Sequence, residues 1–215
     1  MPEDVDFKQE KAVIIAGPEL STTILDGLVD VGRRAAVACI AVEPDYIQHV
    51  HHLLRDTKIR VYALLDYPQG LARPGIVRQI LSWCKTQGAD GALIGFPVGA
   101  LLSDEPQLVE DLLNGIREEM EPGNIFLHCP IKGLNIQQVK RAVQFITKHD
   151  YLNIQLPPEA VANGWVDVIE NSANGICLSI GPIHEEIGNS HACRYWFDGS
   201  STPNQDLESM LKIED

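Results

Sequence analysis

Short apolar runs recur along the chain, and between them the apolar positions tend to fall three and four residues apart. The runs are 12–16 (AVIIA), 36–42 (AVACIAV), 60–66 (RVYALLD), 91–96 (GALIGF), 125–130 (IFLHCP), 151–156 (YLNIQL), 175–180 (GICLSI) and 194–198 (RYWFD). A strand with one wet face alternates apolar and polar residues. Most of these runs do not, so they predict strands covered on both faces, as in a parallel sheet. The intervening segments predict amphipathic helices. Within 45–55, Ile47, Val50, Leu53 and Leu54 share a stripe. Pro74 opens a helix with Ile76, Val77, Ile80, Leu81 and Cys84 behind it. Ser103 is expected to cap 104–119, and Asn135 to cap 136–148 with Ile136, Val139, Val143 and Ile146 inward. A shorter helix is expected after Pro158, running to about Ser172. Eight strands with crossover helices predict an α/β chain folded as one (β/α)8 TIM barrel over residues 1–215, near the lower end of that fold's usual size. The rival is a doubly wound open sheet, but no GxGxxG turn follows the first strand. No linker, low-complexity tract or charge block divides the chain.

Composition narrows the function classes. The chain has 215 residues, 45% hydrophobic, with a formal charge of −13 at pH 7. So acidic a surface repels a phosphate backbone, which excludes nucleic acid as a partner. No apolar run reaches the length of a membrane span. The opening MPEDVDFKQEK lacks the apolar centre of a secretory signal. Cys39, Cys84, Cys129, Cys177 and Cys193 are scattered without a CxxC pair, which suits thiols in a reducing cytoplasm. His49, His51 and His52 cluster on one predicted helix, but no HExxH pattern accompanies them, so a solvated face is expected and no metal. No cofactor is expected.

An ordered series of segments resembles deoxyribose-phosphate aldolase. It begins at AAVACIAVEPDYI (35–47), continues through RVYALLDYPQG (60–70), GADGALIGFP (88–97) and IFLHCPIKGLNIQQVKRA (125–142), and reaches HDYLNIQ (149–155) and WFDGSS (196–201). The resemblance implies a class I aldolase on a (β/α)8 barrel. In that chemistry a lysine forms a Schiff base, a second lysine lowers its pKa and an aspartate shuttles protons. Carried over position by position, the Schiff-base lysine falls on Asn153, the aspartate on Leu93 and the helper lysine on Leu178 or Ser179. None of these can do the work required. Of the lysines outside those positions, Lys8, Lys11 and Lys58 precede strands, and Lys85, Lys140, Lys148 and Lys212 fall in helices or at their ends. Only Lys132, just after the fifth run, can reach the C-terminal mouth where barrel enzymes work. It is either a displaced Schiff-base lysine or an ordinary loop lysine.

The resemblance also implies a phosphate site. Gly199, Ser200 and Ser201 lie in the closing segment, where Thr202 and Pro203 can start a helix aimed at the mouth. A plain helix cap has the same residues. The other half of the cradle is altered: Gly181, Pro182, Ile183 and His184 replace the family's two glycines, small aliphatic residue and arginine. Pro182 has no N–H to donate, and Glu185, Glu186 and Asp198 oppose a dianion. Cys39 is a substrate neighbour or a small buried hydrophobe. Of His128 and Cys129, only one can line the barrel. Asp66 with Tyr67 can bond a polyol or cap the loop that follows. The expectation is a catalytically degenerate aldolase relative that binds a small molecule or phosphate, or serves regulation or assembly, with a homo-oligomer left open. The alternative is an active carbon–carbon lyase using Lys132, and a third is different chemistry on Asp66, Cys39 and His128.

Overall fold

A computed structural model describes residues 12–17, 20–103, 105–172, 175–183, 194–199 and 204–211. The predicted His184, Glu185, Glu186, Cys193, Ser200, Ser201, Thr202 and Pro203 lie outside the described residues, as do Lys8, Lys11 and Lys212. Eight strands, β1 (Ala12–Ala16), β2 (Cys39–Val42), β3 (Arg60–Leu65), β4 (Gly91–Gly95), β5 (Ile125–His128), β6 (Asn153–Leu156), β7 (Cys177–Ile183) and β8 (Arg194–Asp198), pair in sequence order and close on themselves. Every pairing is parallel, including β1 with β8. The expected (β/α)8 barrel is what forms.

The uninterrupted runs have a simple cause: each strand feeds two cores. Inward residues Val13, Ile15, Cys39, Ala41, Tyr62, Leu64, Leu93, Phe126 and Trp196 fill the barrel. Their sequence neighbours, among them Ile14, Ile40, Ala63, Ile94, Leu127, Ile154 and Leu178, face the helices. Both sides therefore demand apolar side chains.

The helices are α1 (Thr22–Arg34), α2 (Ile47–Leu54), α3 (Pro74–Thr86), α4 (Val98–Leu102), α5 (Pro106–Glu119), α6 (Ile136–Lys148), α7 (Glu159–Ala162), α8 (Val166–Glu170) and α9 (Asn204–Met210). The pattern above named no helix between the first two strands, yet α1 buries Leu25, Leu28, Val29 and Val31. Ser103 does not cap 104–119. It ends α4, its N–H donating to Gly99 O at 2.9 Å, and α5 begins at Pro106, whose fixed φ suits a first turn. Asn135 does cap α6, in a capping box with Gln138. The helix expected after Pro158 is two, α7 and α8, broken at Gly164 with φ of 65°. β2 starts at Cys39 rather than 36, since Ala36 takes φ of 48° and turns the chain out of α1.

Candidate functional site at the barrel mouth

In barrels of this kind, reactive groups stand where the strands end. The last residue of β5, His128, lies in register with Gln155 of β6, and both side chains are buried. Nδ1 of His128 sits 2.7 Å from Oε1 of Gln155. An amide oxygen only accepts, so Nδ1 carries the proton and Nε2 keeps a lone pair. Burial holds the His128 pKa down to about 4, against a smaller upward pull from the Gln155 hydrogen bond. The ring is neutral at ordinary pH.

Tyr67, the second residue after β3, turns its ring edge-on to His128 at 4.9 Å between centroids. Its hydroxyl pKa is raised by burial first and then by the charge of Asp198, while the approach of Gln155 pulls it down. That approach falls short of hydrogen-bond geometry: the Tyr67 hydroxyl and Gln155 Nε2 are both buried and meet no partner among the described residues. The mouth is thus floored by a neutral imidazole, an amide and a protonated phenol, with one carboxylate nearby.

Under this floor the barrel is full. Trp196 packs edge-on against Phe126 at 5.1 Å and Tyr62 at 6.5 Å, with Leu93 fully buried beside them. Above it lies a cavity of about 620 Å³ walled by Pro68, Gln69, His128, the 130–134 loop, Pro157, Glu159, Asn163 and Trp165. That volume is in the range of small-molecule sites. Lys132 stands on this wall, exposed, in a tight loop closed by Leu134 N to Ile131 O at 3.0 Å.

No family model matches the sequence, and no curated protein matches it. Solved structures do. A protein named QR15 and described as an aldolase gives a TM-score of 0.75 over 98% of this chain and 100% of its own, at 21% identity. The tetrameric deoxyribose phosphate aldolase of Aeropyrum pernix gives 0.71 over 94% of this chain and 91% of its own, at 11% identity. Orotidine 5'-phosphate decarboxylase of Pyrococcus horikoshii gives 0.62 over 93% and 98%, at 13% identity. The fold is the one the aldolases use. It is also a decarboxylase's fold, so the chemistry has to be argued from the site.

Set on the aldolase fold, the predicted positions separate. Asn153 opens β6 at the N-terminal end, and its amide donates to Gly123 O at 2.9 Å and Ile125 O at 3.3 Å. The inward residue of β6 at the mouth is Gln155, which the apolar pattern did not single out. Leu93 is packed in the inner core. Of the pair on β7, Leu178 faces the helices and Ser179 faces inward, its hydroxyl donating to Ile154 O at 3.3 Å. Cys39 is buried low in the barrel, paired with Val13 and Arg60. Asp66 caps its loop: its carboxylate accepts from Ala72 N at 2.5 Å and its carbonyl from Gly70 N at 2.8 Å. Only its neighbour Tyr67 enters the mouth.

Packing accounts for the glycines of the expected phosphate site. A Cβ on Gly181 would lie 2.4 Å from Trp196 Cβ. One on Gly199 would lie 2.8 Å from Leu28 Cδ2, and the Gly199 N–H already donates to Ile15 O at 2.8 Å. His49 Nε2 pairs with Asp26 at 2.6 Å on the surface, and no metal-binding group of His, Cys, Asp or Glu occurs among the described residues. His128, not Cys129, lines the mouth; burial pushes the Cys129 thiol up to about 12, leaving it unreactive. The signal that would have found Gln155 is its type: a glutamine inside a two-sided apolar strand needs a partner.

Proposed function

We propose that this chain is an aldolase-fold barrel that works without a Schiff base and holds a small polar molecule at its mouth, in a binding or regulatory role. One observation carries this: none of the eight described strands bears a lysine, and the β6 residue at mouth level is Gln155. An amide nitrogen has no basic lone pair, so it cannot attack a carbonyl to form an imine. Leu93 cannot move a proton, and Ser179 cannot lower a neighbour's pKa as an ammonium does. Phosphate is the weaker choice of ligand, because the Gly199 N–H is engaged and Asp198 lies close to the mouth. Its acidic charge and buried thiols suit a cytoplasmic protein, and self-association fits the fold. Among the described residues no helix is long and apolar enough to cross a membrane. Purified protein given deoxyribose phosphate is expected to release no aldehyde above the uncatalysed rate in a coupled retro-aldol assay. Sustained turnover would overturn this assignment.

A second reading rests on Lys132. It shares the cavity wall with His128 and Glu159, which would place an amine beside a base and an acid in an active carbon–carbon lyase. If Lys132 is the nucleophile, a borohydride-fixed adduct forms on the wild type and disappears in Lys132→Ala.

A further inference from the structure

A buried acceptor that meets a cavity and no partner marks where a ligand's donor belongs, because a group that gives up water and receives nothing costs free energy. His128 is such a group. It is 3% exposed, and its Nδ1 is taken by Gln155. Among the described residues no second hydrogen bond reaches the ring. Gln155 Nε2 and the Tyr67 hydroxyl are sealed from solvent, but Nε2 of His128 is not, and His128 is the buried polar residue that lines the cavity. With Nδ1 protonated, Nε2 can only accept. The wall around it is rigid and apolar: Pro130, Ile131, Leu134, Pro157 and Trp165 are all buried or half-buried. The other polar side chains of the cavity, Gln69, Lys132, Glu159 and Asn163, are exposed. The cavity therefore offers one dry acceptor, apolar walls and a wet polar rim.

We propose that this cavity takes a planar aromatic ligand with one O–H or N–H donor, which donates to His128 Nε2 while the ligand's remaining polar groups stay at the rim. Desolvation decides the class. A polyol entering the cavity would strip water from several hydroxyls and meet one buried acceptor, so most of its hydrogen bonds would be lost. An aromatic ring loses none. It buries its faces against Trp165 and the prolines, where offset or edge-on contact with the indole adds to the apolar gain. A single donor matches the single acceptor. The cavity of about 620 Å³ admits a one- or two-ring molecule with a polar tail. This ligand class rests on the reading of the mouth as a non-covalent binding site, which it narrows from a small polar molecule to an amphipathic one.

The test titrates the full chain with indole and with benzofuran, which has the same shape but no N–H, by calorimetry and saturation-transfer NMR; ribose is the polyol probe. Indole is expected to bind saturably and about tenfold tighter than benzofuran, since the isostere displaces water from Nε2 and gives nothing back. This comparison needs no variant, so it holds even if a substitution folds poorly. In His128→Phe the two affinities should converge. In Trp165→Ala both should weaken while their ratio is kept. Absence of saturable indole binding, equal affinity for the two rings in the wild type, an indole preference that survives His128→Phe, or unchanged binding in Trp165→Ala overturns the site. Ribose binding tighter than indole overturns the aromatic class. A retro-aldol assay with deoxyribose phosphate runs on the same preparation. Turnover there overturns the non-covalent reading itself, whereas no turnover together with no indole preference removes this ligand class alone.

Discussion

His128 is the residue whose ordinary chemistry the barrel alters most. Its folded pKa is about 4, against 6.5 for an exposed ring, because burial penalises the cation. Above pH 6.5 both folded and unfolded chains carry a neutral ring, and stability is unaffected. As pH falls from 6.5 towards 4, the unfolded chain takes up a proton that the folded chain refuses, so stability declines across that window. At 1.36 kcal/mol per pKa unit the full loss is about 3 kcal/mol. Denaturant melts of wild type and His128→Gln at pH 7 and pH 4.5 test this. The wild type should lose more stability than the variant, and equal losses would show that the ring titrates normally. Sequence alone left open whether His128 or Cys129 lines the barrel, and it could not give the partner of His128, since Gln155 is 27 residues away and meets it only through the β5–β6 register. The same limit applied to Asp66 and Tyr67. Adjacent residues at a strand end point in different directions, and only the positive φ of 50° at Asp66 decides that Tyr67 takes the mouth.

Among the elements, the strands were legible because a short run that is apolar on both sides can bury itself in few ways besides a parallel sheet. Their inward and outward faces were not, because such a run lacks the alternation that marks a face. This is why the β7 pair stayed open until Leu178 was found among the helices and Ser179 inside. It is also why Asn153 stood for a mouth position that Gln155 holds. The α5 start was misjudged because Ser103 is a good cap by type, whereas the chain first closes α4 and restarts at Pro106. Two glycines separate packing from propensity. Gly181→Ala would push a Cβ against Trp196 at 2.4 Å on a barrel strand, and should cost about 1–3 kcal/mol. Gly115→Ala, inside α5 with only ordinary contacts to Arg78, should gain roughly 0.5–1 kcal/mol from helix propensity. Thermal melts of both variants check the contrast; a neutral Gly181→Ala would mean that β7 and β8 have room to part.

For the molecule as a whole, closure of the sheet determines where chemistry can occur. The aromatic group of Tyr62, Phe126 and Trp196 fills the barrel below the mouth, so among the described residues the open end of the barrel is the C-terminal one. Schiff-base chemistry would need a neutral lysine amine within that mouth. The described strands place an amide there instead, and Lys132 stands on the cavity wall. The most direct measurement is the intact mass of the protein after borohydride treatment with an aldehyde donor present. An unchanged mass is the predicted result. A single reduced adduct, mapped by peptide digestion to Lys132 or any other lysine, would contradict the account.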